Sequence, residues 1–168
     1  SGQWQVTDVG TLAGTSIEDM VVQSGELFLA TDNVNPGVAQ GVYRWDGATF
    51  QEPNGGNIIA TDGIGASSEI IVAVGVSSTI PAGAAVIVSS NGGGDFSAVT
   101  LTGGPAGANF RKVAVDGLNV YIATSDGVWT GTVNTTGPAL TLTNMSDGVL
   151  PADYNASNIV LLGRNLVV

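Results

Sequence analysis

The sequence predicts an all-β fold made of β-propeller-type blades, each a meander of four short antiparallel strands. Three observations lead there. Trp4, Phe50 and Phe96 follow one another at intervals of 46 residues, and Leu142 stands 46 further on. The runs between these anchors are short, rich in Val, Ile, Leu and aromatic residues, and separated by Ser-Gly, Asp-Gly and Asn-Gly turns, where a positive φ costs little. No segment carries a helical period of useful length. Four short strands in a repeat of about 46 residues match one propeller blade.

The strands follow in order. Residues 1–10, around Trp4, read as the last strand of a partial blade. The first full unit, 11–54, places strands at Ile17–Val22, Leu27–Thr31, Gly41–Trp45 and Thr49–Gln51, with turns at Ser24-Gly25 and Asp46-Gly47. The second, 55–104, places them at Asn57–Ala60, Glu69–Val74, Ala85–Val88 and Phe96–Val99. The third, 105–146, has Phe110–Val115, Asn119–Thr124, Gly127–Thr132 and Ala139–Thr143. A final partial unit, 147–168, opens with Asn158–Leu162, turns at Gly163 and reaches Val168. Three complete blades with partial blades at both ends are expected to form a single propeller-like domain, or a segment of a larger propeller, over 1–168. The uncharged stretch Ile70–Val88 has the length of a membrane span. Ser77-Ser78-Thr79 and Pro81 interrupt it, so it reads as two buried strands.

Composition narrows the chemistry. The 168 residues are 43% apolar and 11% charged, against about 25% charged in an average domain, so charge-driven disorder is excluded. There is no cysteine and no histidine. Disulfide scaffolds, Cys/His zinc sites, Ser-His-Asp or Cys-His nucleophile systems and imidazole acid–base chemistry are excluded with them. A net charge of −10 with four basic residues does not fit nucleic acid or anionic lipid as partners. The acidic, Gly/Thr/Ser/Asn-rich composition points to an extracellular or particle-surface setting, where three sequons at Asn134, Asn144 and Asn155 would matter.

Two turns carry a resemblance. Ser89-Ser90-Asn91-Gly92-Gly93-Gly94-Asp95-Phe96 is similar to the Asp-box of sialidase-type repeats, Ser-x-Asp-x-Gly-x-Thr-Trp: Ser89 and Gly93 match, Asn91 replaces the Asp and Phe96 the Trp. A shortened form with Asp46, Thr49 and Phe50 follows Trp45. The motifs are degenerate. The resemblance implies an Asp-box propeller fold and no particular activity. In that family the box is a structural hairpin at the blade's outer edge, which makes Asp46 and Asn91 turn-fixing residues.

Candidate ligand groups are few. Asp32, Asn33 and Asn35 offer oxygen ligands for Ca²⁺, although Val34 stands where an EF-type loop needs an oxygen; no other cofactor is expected. Arg44, Arg111 and Arg164, with Tyr154 in a polar loop, would serve a glycan-binding or sialidase-like hydrolase, provided they converge on one face. Glu18 and Asp19 are adjacent, so on a regular strand they would point to opposite faces. The expectation that best fits the whole is a non-catalytic structural or interaction module. It would assemble with itself or with other protein chains by strand sharing, as an oligomer or filament, because charges that normally guard sheet edges are sparse.

Overall fold

The computed structural model describes residues 12, 15–33, 40–57, 59–77, 83–145 and 154–168. They form fifteen strands, β1 to β15 in chain order, arranged as successive blades. Blade one is β1 (Thr15–Gln23), β2 (Glu26–Asn33), β3 (Gly41–Trp45) and β4 (Phe50–Gln51). Blade two is β5 (Ala60–Ala66), β6 (Ile71–Ser77), β7 (Gly83–Ser89) and β8 (Ser97–Ala98). Each is an antiparallel meander in sequence order. Blade three is β10 (Phe110–Asp116), β11 (Asn119–Thr124), β12 (Gly127–Asn134) and β13 (Ala139–Asn144). Blade four contributes the hairpin β14 (Val160–Leu162) and β15 (Asn165–Val167). The N-terminal partial blade around Trp4 lies outside the described residues.

Two features differ from the sequence reading. The first strand of blade two is Ala60–Ala66, not Asn57–Ala60. Its Gly63 and Gly65 lower strand propensity, and the structure shows why glycine stands there. A Cβ on Gly63 or Gly65 would meet the main-chain oxygen of Arg111 or Val113 at 2.7 Å, so β10 packs directly on the β5 backbone. The second is β9 (Thr100–Gly103), a fifth strand that leaves blade two and pairs in parallel with the outer edge of β13. It covers an edge that would otherwise be open. Blade two is joined to blade one at the matching place, by a single parallel bridge between Asn54 and Asp95 and by the Phe96 amide, which donates to the Asn54 carbonyl at 2.7 Å.

The core lies between blades. Phe28, Ala30 and Val42 of blade one meet Ile64, Ile71, Ala73, Ile87 and Phe96 of blade two. The other face of blade two, Val72, Val74, Val86 and Val88, meets Val113, Val120, Ile122 and Leu140 of blade three. Alternate residues of β6 thus face different neighbours, which is why Ile71 to Val74 are all apolar and all buried. Each such side chain contributes about 1.5–3 kcal/mol by leaving water. Ala114, Ala123 and Val128 continue the series toward Ala156 and Ile159 of blade four.

The second and third strands of every complete blade are closed the same way. Thr31 pairs with Gly41, Ser77 with Gly83 and Thr124 with Gly127. All three hydroxyl residues are buried. The hydroxyls of Thr31 and Thr124 each donate to the carbonyl of their paired glycine at 3.0 Å. Thr61 adds a tie between blades one and two: its hydroxyl accepts the Thr31 amide at 2.8 Å and lies 2.9 Å from the Gly41 carbonyl oxygen.

Candidate functional site

The first strands of the blades, β1, β5 and β10, lie against one another and share an irregularity. The ladder slips by one residue between Ile17 and Asp19, between Thr61 and Gly63, and between Phe110 and Lys112. The extra residues are Glu18, Asp62 and Arg111, one charged side chain per blade. A bulge breaks the alternation of a strand, so adjacent residues need no longer point to opposite faces. Around these bulges the structure gathers six of the chain's charged residues: Glu18, Asp19, Asp32, Asp62, Arg111 and Lys112.

Lys112 organises the cluster. Its ammonium donates to the main-chain oxygens of Glu18 and Asp62 at 2.7 Å each, and Asp19 lies 3.6 Å away. One side chain of blade three thereby ties down the bulges of blades one and two. Asp19 also accepts from the Ile64 amide at 3.3 Å. Burial, then the charges of Asp32 and Glu18, push the Asp62 carboxyl above its ordinary value; Lys112 and Arg111 oppose that rise.

The outer turns behave as the Asx pattern requires. Asp46 accepts the amides of Ala48 and Thr49 at 2.8 Å each, and these bonds hold its carboxyl below the usual range. Phe50 follows on β4 and stacks at a tilt on Trp45, with ring centres 4.9 Å apart. In the second turn the Ser89 hydroxyl donates to Asn91 Oδ1 at 2.8 Å and accepts the Gly93 amide at 2.9 Å; Asn91 Oδ1 also accepts the Asp95 amide at 3.0 Å. Gly93 has φ +84° and lies over the Phe28 ring, so this turn seals the joint between blades one and two.

The remaining candidates are spread out. Arg44 on β3 of blade one pairs with Glu26 at 3.9 Å on an exposed surface. Arg111 is the bulge residue of blade three, and Arg164 stands in the β14–β15 turn of blade four. Tyr154 is only partly exposed and packs with Ala114, Ala123 and Ile159 between blades three and four. Asp32 sits near the end of β2 beside the charged cluster and Asn33 closes that strand, while Asn35 lies outside the described residues. Among the described residues there is no group of three or more His, Cys, Asp or Glu placed to hold a metal ion. No described helix is long and apolar enough to cross a membrane. A groove of about 650 Å³ opens between β7 and β9; of its lining residues only Thr100 and Asn109 carry polar side chains.

The most distinctive surfaces were not singled out from the sequence. They are two apolar patches, one on β1 of blade one and one on the hairpin of blade four; Leu29, Tyr43 and Phe50 on the same side of blade one are buried in a cluster with Leu12. Met20 and Val22 follow the Glu18 bulge by two and four residues, and are paired with Leu29 and Leu27. Ile64 and Val113 follow their own bulges by two residues and are 4% and 5% exposed, whereas Met20 is 62% exposed and Val22 is 65% exposed. On blade four, Val160 and Val167 pair with each other and are 45% and 49% exposed, beside Leu162. Counting back from the first turn, Val160 matches Ala114 of blade three, which is 8% exposed. Positional comparison between blades was the signal that could have found both faces.

No protein-family model and no curated protein matches the chain. Solved structures do. A gluconolactonase from Xanthomonas campestris aligns over 88% of this chain and 52% of its own, with a TM-score of 0.55 and 15% identity. A protein of unknown function from Dyadobacter fermentans aligns over 86% and 53%, with a TM-score of 0.51 and 10% identity. The chain spans about half the length of each. At these identities the likeness is one of fold alone.

Proposed function

We propose that the chain is a non-catalytic interaction module, extracellular or on a particle surface, that works by offering blade faces to other protein chains. One observation carries this reading: Met20 and Val22 on β1 stand open at positions that are packed against a neighbouring blade in the other described blades, while Leu29, Tyr43 and Phe50 beside them are covered by Leu12. The charged cluster supports it from the other side, because Lys112 is spent on two main-chain oxygens and so joins blades together. The Asp-box resemblance fits the same reading, with Asp46 and Asn91 fixing turns at the blade margins. A glycan-binding role would draw on Arg44, Arg111, Arg164 and Tyr154; these are distributed over three blades, so the interaction reading is preferred. The lactone chemistry of the Xanthomonas protein is not carried over at 15% identity.

The test is a pair of variants, Met20→Glu with Val22→Glu and Val160→Glu with Val167→Glu, examined for native mass and for binding of an apolar fluorescent dye. The native chain is expected either to associate or, when dilute, to bind the dye. Both properties should fall in the variants while the far-ultraviolet circular dichroism stays unchanged. A native chain that stays monomeric and dark with the dye would sink the proposal.

A further inference from the structure

We infer that Asn54 is a site of spontaneous deamidation, and that the change acts on Asp95, which joins blades one and two at their outer margin.

The chain has two Asn-Gly steps, Asn54-Gly55 and Asn91-Gly92. Glycine has no side chain to hinder its own nitrogen, so that nitrogen can reach the Cγ of the asparagine before it. In the reaction at Asn54 the Gly55 nitrogen bonds to Asn54 Cγ and gives up its proton. The Cγ–Nδ2 bond breaks and ammonia leaves. Water then opens the cyclic imide at either carbonyl and leaves an aspartate or an isoaspartate. Solvent water is the only co-reactant.

Both amides meet on one carboxylate. Asn54 Nδ2 donates to Asp95 Oδ1 at 3.0 Å, and Asn91 Nδ2 donates to Asp95 Oδ2 at 2.8 Å. All three residues are exposed to water. The nitrogens of Gly55 and Gly92 are both free of hydrogen bonds among the described residues, so the restraint on each side chain decides. That restraint is unequal. Asn91 Oδ1 also accepts the Ser89 hydroxyl at 2.8 Å and the Asp95 amide at 3.0 Å, so both ends of its amide are pinned inside its own turn. Among the described residues, the Asn54 side chain is held through Nδ2 alone.

The product reverses the chemistry at Asp95. A donor becomes a carboxylate oxygen, and two like charges stand where a charge-assisted hydrogen bond stood. Asn54, ahead of Asn91, holds the Asp95 carboxyl below its ordinary value, so Asp95 loses the larger of its two supports. The same place carries the parallel bridge between Asn54 and Asp95 and the 2.7 Å bond from the Phe96 amide to the Asn54 carbonyl. The repulsion therefore loads the joint between the blades. An isoaspartate also reroutes the main chain through Cβ and Cγ, and the carbonyl that receives Phe96 leaves the backbone.

The experiment is storage of the intact chain in mildly alkaline buffer, folded and in parallel unfolded in urea, followed by peptide mass mapping. In urea both steps should convert at similar rates. In the folded chain Asn54 should convert several-fold faster than Asn91. Ser89→Ala, checked as folded by far-ultraviolet circular dichroism, should speed conversion at Asn91 and leave Asn54 unchanged. A folded chain that protects Asn54, or converts both residues equally, would overturn the site. The consequence is read separately from thermal melts. Asn54→Asp should melt below the native chain, and adding Asp95→Asn should recover the loss, because donor and acceptor have then exchanged places. An Asn54→Asp chain that melts like the native one would overturn the action on Asp95.

Discussion

The Lys112 ammonium lies 2.7 Å from the main-chain oxygen of Glu18, a residue 94 positions earlier in the chain. Because the same ammonium also reaches the Asp62 oxygen, blades one, two and three meet at one cation. Each bulge turns a carbonyl out of the ladder, and a carbonyl without its strand partner needs another donor. Lys112 serves two of them.

Replacing Lys112 with Met keeps the stem and removes the charge. Hydrogen bonds to a charged group contribute about 1.5–3 kcal/mol each when buried. Lys112 is partly exposed, so solvent screening should bring the loss below the sum of two such bonds, to about 2 kcal/mol in total. Urea unfolding midpoints would measure it. Arginine should not restore the loss fully, since its planar fork does not match two separate carbonyls.

Asp62 predicts a pH effect of opposite sign to the usual carboxylate. Its folded-state value is raised above the ordinary 3.8 by burial and by Asp32 and Glu18, so the folded chain binds this proton more tightly than the unfolded one. The ionised form is penalised in the fold. That penalty is complete above the raised value and is relieved as pH falls toward 3.8. Asp62→Asn should therefore melt higher than the native chain at pH 7, and the gap should narrow on acidification. A gap that stays constant with pH would show that the carboxylate charge is not the cause. Asp46 and Asp95 run the other way: hydrogen bonds lower both, so their contribution holds above 3.8 and is lost below it.

The buried hydroxyls give a third expectation. Thr31→Val and Thr124→Val keep shape and remove the donor to Gly41 and Gly127. Thr124→Val leaves the Gly127 carbonyl and the Asp126 amide short of a partner, at a cost of about 1–2 kcal/mol, whereas the Gly41 carbonyl keeps the Thr61 hydroxyl when Thr31 is replaced. Thermal melts should therefore shift more for Thr124→Val than for Thr31→Val, and equal shifts would show that the Thr61 hydroxyl does not compensate at Gly41.

Much of the fold was legible in the sequence because blades repeat hydrophobic anchors. Phe50 and Phe96 fall on or beside outer strands, and Ile71 to Val74 read as a doubly buried strand. The hydroxyl–glycine repeat was harder to see, since the residues it joins are separated by loops of different length, as Thr31 to Gly41 and Thr124 to Gly127 show. β5 was misplaced because Gly63 and Gly65 look like loop residues until β10 is laid against them. β9 escaped because its reason for existing, the edge of β13, lies about 40 residues away in the chain. The end faces escaped for a related reason. Met20 and Val22 are ordinary strand residues in sequence, and only comparison with Ile64 and Val113 marks them as uncovered.

Gly93 separates a conformational cost from a packing cost. Both Gly92 and Gly93 have positive φ, +72° and +84°. A Cβ on Gly92 meets nothing within 4 Å, whereas one on Gly93 runs into the Phe28 ring and meets Ile71 Cδ1 at 3.1 Å. Gly92→Ala should cost only the left-handed strain, about 1–2 kcal/mol. Gly93→Ala adds overpacking at the joint between blades one and two, a further ~1–3 kcal/mol. Trimming the obstacle decides the matter: Phe28→Leu should recover part of the Gly93→Ala loss and none of the Gly92→Ala loss. Equal losses at both glycines, or no coupling with Phe28 in the double-mutant cycle, would mean that the turn does not seal this joint.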